Sequence, residues 1–157
     1  MAAFRTGVLG TTGMESAETT AALVAQLHPA AVIAIDALAS RRLGRVCTTV
    51  QLSDSGIVPG SGVGNHREAL NRETLGVPVI SLGIPTVVDG ATLAADLLEE
   101  AGGGEVDEAR LRSVGLPIMV TPRDIDHQVR ELAKIAGYAV NWALQDLEIE
   151  DMTALLG

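Results

Sequence analysis

A chain of 157 residues suits one domain, and 47% hydrophobic with 20% charged residues allows a real core and excludes disorder for its bulk. Aromatic residues are only 2% (Phe4, Tyr138, Trp142), and 20 acids against 11 Lys and Arg give a formal charge of −9. Stacking platforms for single strands are scarce and a phosphate backbone is repelled, so no nucleic-acid partner is expected.

The opening residues suggest a short strand at Val8 and Leu9 before a Gly/Thr-rich turn. Thr11 or Thr12 then caps a helix with Glu15 and Glu18 at its positive end, which Pro29 stops. Ala30 to Ile35 is a bounded apolar run ending at Asp36, and its β-branched residues favour a strand covered on both faces. Residues 37–45 read as a short helical or irregular piece, and Val46 to Leu52 as a strand near a sheet edge, containing Cys47. Residues 56–65 form a glycine-rich loop. Val79 to Ile84 is the next apolar strand, followed by a Thr86-capped helix from Val87 to Ala101 that Gly102, Gly103 and Gly104 terminate. Residues 102–116 are linker-like, and Met119 and Val120 form a short strand. Thr121, Pro122 and Asp124 start a long amphipathic helix with Ile125, Val129, Leu132, Ala136 and Val140 on one face.

This alternation implies a single three-layer α/β domain over 1–157 with a mostly parallel sheet. Few strands are visible for such a sheet, so the fold is expected to be incomplete in this chain. No apolar run reaches the ~18 residues of a membrane span and the N-terminus lacks a signal-peptide layout, so a soluble, cytoplasmic protein without a membrane partner is expected. The single cysteine excludes an internal disulfide and a thiolate zinc cage, and fits a reducing compartment.

Asp36 is the first candidate for chemistry. A carboxylate directly after a buried strand stands at the carboxyl end of the sheet, where open α/β folds bind ligands. Its apolar approach raises its pKa, and Arg41, Arg42 or Arg45 would lower it. From spacing alone, a functional carboxylate and a structural cap or ion-pair partner are both open readings. The loop Pro59 to Asn65 can present backbone N–H groups to an anion or a carbonyl oxygen, although its G-x-G-x-G spacing fits neither the dinucleotide fingerprint nor the P-loop. Backbone permissiveness is the simpler account of those glycines. His28, His66 and His127 lack metal-ligand spacing. Cys47 with His66, or Ser55 or Ser61 with His66, gives only a weak nucleophile signal.

The blocks GTTGMESAETT (10–20), residues 31–90 with AIDALASR and IPTVVDG, and MVTPRDIDHQV (119–129) resemble the germination protease family. These spore endopeptidases degrade small acid-soluble spore proteins. The resemblance implies an α/β fold similar to hydrogenase maturation peptidases, made as an oligomeric zymogen in the spore interior and needing no metal or organic cofactor. It implies aspartic-type hydrolysis by two aspartates, one of them Asp36. The other belongs to a segment ahead of the GTTG motif, which this chain is expected to lack, and the region at 102–117 is shorter than in the family. The chain is thus expected to be the C-terminal part of the catalytic domain. Asp54 and Asp89 are possible substitutes for the second acid, although turn former and first-turn helix acid fit them better. Family substrates are cut at glutamate-containing sequences, which Arg41, Arg42 and Arg45 would read by charge-assisted hydrogen bonds. Gly60, Gly62, Gly64 and Asn65 would shape the cleft. A non-catalytic binding or assembly module, and an anion- or nucleotide-binding protein using residues 59–65, are the alternatives.

Overall fold

The computed structural model describes residues 1–7, 9–61, 67–115, 117–145, 148 and 150–151. It resolves into two compact units, Met1–Val120 and Thr121–Gly157.

The first unit is built on a four-stranded sheet. Strand β1 (Val32–Ser40) pairs in parallel with β3 (Val79–Asp89), and β2 (Gln51–Ser53) and β4 (Met119–Val120) pair antiparallel with β3. The sheet is therefore mixed, and the expectation of a mostly parallel one is corrected. A parallel return needs a crossover of a dozen or more residues, usually a helix. Between β1 and β2 the chain has only a 3₁₀ turn at Leu43–Arg45, so β2 comes back antiparallel, at the sheet edge as expected.

β1 and β3 both outrun their expected ends. β1 does not stop at Asp36: Ala37 to Ser40 continue the ladder. β3 does not yield to a helix at Val87, because Val87 and Val88 stay paired with Ala39 and Ser40. Pro85 has no N–H for the ladder, and proline inside a sheet is tolerated at a bulge. The register accordingly passes from Leu38↔Pro85 to Ala39↔Val87, leaving Thr86 as the extra residue on β3.

Before β1, Leu9 opens a short helix, α1 (Leu9–Thr12), in place of the expected strand; Val8 lies outside the described residues. Helix α2 (Ser16–Leu27) has Glu15 at its N-cap with no side-chain cap bond, so Thr11 and Thr12 are not its caps. It ends at His28, whose left-handed φ of 47° lets its N–H reach the Val24 carbonyl, and Pro29 follows. Ala17 and Ala21 of α2 pack with Leu70, Leu75 and Val77 against Val32, Ala34 and Val79 of one sheet face. On the other face Ile35 (52% exposed), Leu52 (73%) and Ile80 (39%) stay open, so β1 is not covered on both sides as expected.

A short helix, α3 (Arg72–Leu75), carries a capping box between Asn71 and Thr74. Helix α4 (Gly90–Glu100) starts three residues after its expected first turn, capped by the Asp89 carboxylate, which accepts the Ala91 and Thr92 N–H groups at 3.0 and 3.3 Å. The linker-like stretch also holds a helix, α5 (Glu108–Val114), capped by Asp107. Arg112 ties α5 to α4 through Asp89 (2.9 Å) and the Thr92 hydroxyl (2.9 Å).

In the second unit, α6 (Ile125–Leu144) follows the expected periodicity. Its Asp124 makes no cap bond with its side chain; the Asp124 carboxylate accepts from Gln128 Nε2 at 2.8 Å instead. Among the described residues no helix is long and apolar enough to cross a membrane.

Candidate functional site

Asp36 lies in the middle of β1, half-buried, directly opposite Gly83 of β3, which is itself opposite Gln51 of β2. The two-residue period puts Asp36 on one face with Ala34 and Leu38, beside Ser81, Gly83 and Pro85. That face is tight at Gly83: a Cβ there would collide with the Leu38 side chain. Leu38 thereby lies over the Gly83 backbone, on the face it shares with Asp36.

The carboxylate accepts the Ala37 N–H at 2.9 Å through Oδ1. Burial pushes the Asp36 carboxyl above the ordinary carboxylate range, and the Ala37 N–H and the Arg67 guanidinium pull in the opposite direction without cancelling it. None of the ion pairs among the described residues involves Asp36. It is neither in open water nor locked to an arginine. It is also not at the carboxyl end of the strand, as expected, because the β1 ladder runs past it.

The expected second acids stand elsewhere. Asp89 caps α4, pairs with Arg112, and is six residues along β3 from Gly83, roughly 20 Å at strand spacing. Asp54 is exposed in the bend after β2.

The three arginines divide. Arg42 Nη1 pairs with Asp96 at 2.8 Å and Glu99 at 3.2 Å on α4, beside a surface depression lined by Arg42, Gly44, Asp96, Glu99 and Glu100. Arg41 and Arg45 are exposed. Ser40 lies four positions beyond Asp36, so these arginines begin about 13 Å along the strand from the carboxyl.

The glycine loop is pinned at its base. Ile57 and Leu70 form an antiparallel bridge with N···O distances of 3.0 and 2.8 Å. Gly56 (φ 81°) permits it, since a Cβ there would run into the Leu70 carbonyl. Gly60 has a left-handed φ of 71°, and Ser61 N–H returns to the Val58 carbonyl at 3.2 Å. Gly62, Gly64, Asn65 and His66 lie outside the described residues. Cys47 is not in a strand: it occupies a turn at φ 56°, its N–H donating to the Pro85 carbonyl at 2.7 Å. Among the described residues no group of three or more His, Cys, Asp or Glu could hold a metal ion.

Two residues of this region had no signal in the spacing. Arg67 follows the glycine-rich loop, 31 residues from Asp36 in the chain, and its charge acts on the Asp36 carboxyl. Asp96 reads as an ordinary helix acid, and only the fold shows it 6% exposed and bonded to the turn after β1.

Residues 1–103 match a family profile described as germination protease. A germination protease of Clostridium perfringens is 42% identical over 175 residues, covering 96% of this chain and 54% of the relative. One of Caldanaerobacter subterraneus subsp. tengcongensis is 40% identical over 181 residues, covering 99% and 56%. One of Bacillus subtilis is 54% identical over 99 residues, covering 63% and 27%. The chain spans about half the length of the first two of these curated relatives.

Proposed function

The chain belongs to the germination protease family, and from that premise we propose that it carries half of an aspartic-type peptide-hydrolysing site, with Asp36 as one of two carboxylates. A carboxylate pair cleaves a peptide when one member takes a proton from water and the other holds a proton for the scissile amide. Asp36 suits the second role, because burial favours its protonated form. That observation carries the reading. The partner carboxylate is supplied from outside the described residues.

The substrate class we propose is the small acid-soluble spore proteins, met in the cytoplasm of the germinating spore by an oligomeric enzyme made as a zymogen. The proposal includes a fold relation to hydrogenase maturation peptidases. An extended peptide lying along β1 with its scissile bond at Asp36 brings a side chain four or five residues away to Arg41 and Arg45, at about 3.3 Å per residue. We assign the shaping of the cleft to the glycine-rich loop, whose Gly62, Gly64 and Asn65 lie outside the described residues.

The test is to incubate this chain, and a germination protease containing it, with a small acid-soluble spore protein and weigh the products. Cleavage that Asp36→Asn lowers by at least about 10³-fold, with folding unchanged, is the expected result. Turnover retained in Asp36→Asn ends the assignment. A chain that binds the substrate intact, alone and in the longer protein, is a binding module.

A further inference from the structure

The register sets three residues in one row across the sheet. Asp36 of β1 stands opposite Gly83 of β3, and Gly83 stands opposite Gln51 of β2. Paired residues project from the same face, so the Asp36 carboxyl and the Gln51 carboxamide rise together, with no side chain on Gly83 between them. Two strand spacings separate their backbones, about 10 Å. The Leu38 side chain takes the place that a Gly83 Cβ would fill. The row therefore has an apolar middle and two polar ends.

The neighbouring row is Ala34, Ser81 and Ser53, and its hydroxyls are engaged within the fold. Ser81 is buried and its Oγ donates to the Ser53 carbonyl at 3.3 Å. Ser53 Oγ shares a 2.6 Å hydrogen bond with Ser55 Oγ. The Gln51 carboxamide is exposed and makes no hydrogen bond to a described residue. Its backbone is held in the ladder of β2 on β3, so the group is placed without being used.

We propose that Gln51 is a further catalytic residue of this site, its carboxamide N–H donating to the carbonyl oxygen of the scissile peptide while Asp36 faces the amide nitrogen. The role rests on the proteolytic reading above, whereas the facing of the two side chains does not. A trans peptide unit points its C=O and N–H in opposite directions, so an extended chain over Gly83 offers one to β2 and the other to β1. Water adds through its oxygen to the carbonyl carbon and yields a proton to the second carboxylate. The Asp36 proton passes to the nitrogen as the C–N bond breaks. Negative charge gathers meanwhile on the carbonyl oxygen, where a donor already fixed in place is most effective. A lysine or arginine at this position would favour the ionised form of Asp36; a carboxamide donates without doing so.

Two measurements separate the facing from the chemistry. In this chain, carbon-detected NMR follows the Asp36 carboxyl through a pH titration. Gln51→Glu sets a second carboxylate across Gly83 and is expected to raise the Asp36 midpoint, and Gln51→Lys to lower it. Midpoints unmoved in both variants overturn the facing and the proposal with it. Turnover is read in a germination protease containing this chain, with a small acid-soluble spore protein as substrate. Gln51→Leu is expected to lower kcat about 10²-fold and to change KM less than about threefold, the signature of one lost oxyanion donor. Its urea unfolding is expected to match wild type, because Gln51 is exposed. An unchanged kcat, or a loss confined to KM, overturns the catalytic role. A wild type that cleaves nothing ends the proteolytic reading and this role together, while the titration still decides whether Asp36 and Gln51 face each other.

Discussion

Asp36 shares a sheet face with Leu38 and the bare backbone of Gly83, so its ionised form is poorly solvated where it stands. A carboxyl whose folded pKa exceeds its unfolded value binds more protons in the native state, so stability falls as pH rises through that window. The stabilising contribution is complete below the ordinary value of 3.8 and is lost as pH passes the raised folded value. Asp36→Asn removes this dependence. Its stability relative to wild type is expected to improve as pH rises through that range and to level off above it, which urea unfolding at a series of pH values measures. Arg67 pulls in the opposite direction, so Arg67→Ala is expected to raise the Asp36 pKa further. Carbon-detected NMR titration of the Asp36 carboxyl decides this, and a downward shift contradicts the assigned environment.

Gly83 and Leu38 form a matched pair across β1 and β3. Gly83→Ala forces Leu38 from its place and should cost about 1–3 kcal/mol, and most of that cost should vanish in a Leu38→Ala background. Equal costs in both backgrounds contradict the contact. Asp89→Ala removes the cap of α4 and the partner of Arg112 together, an expected loss of about 1–2 kcal/mol by thermal or urea unfolding. These junctions are also where sequence and structure part company. The strand centres at 32–35 and 79–84, the short β4 and the long α6 were legible because their apolar spacing is local. Asp36, a residue depleted in strands, looked like a terminus, yet its ladder continues because β3 supplies partners through Val88. The start of α4 was misplaced because Thr86 resembles a cap while the pairing of Val87 and Val88 with β1 keeps them extended. At the candidate site, Asp36 stood out by its apolar approach, but Arg67 and Asp96 act on partners 31 and more than fifty residues away in the chain, which no window displays.

Across the first unit, the sheet is covered unevenly. Ile35, Leu52 and Ile80 lie open on the face opposite the Ala17–Leu75–Val79 core. Replacing Leu52 with lysine is expected to change unfolding free energy by no more than about 0.5 kcal/mol, the range of ordinary surface substitutions. A loss of several kcal/mol would mean that this face is covered. The slip at Thr86 has a consequence of another kind. Ahead of it, the odd-numbered residues of β3 share a side with Asp36; beyond it, Val88 pairs with Ser40 and the even-numbered ones do. Thr86 thus shifts the reading frame of the strand. Without that one residue strict alternation still sets Val88 opposite Ser40, so the bulge works as a spacer: β3 carries one residue more than β1 while Val88 stays sealed from water and Asp89 stands at the mouth of α4. Between Gly83 and Gly90 the sheet thus absorbs an inserted residue without turning its sealed face outward.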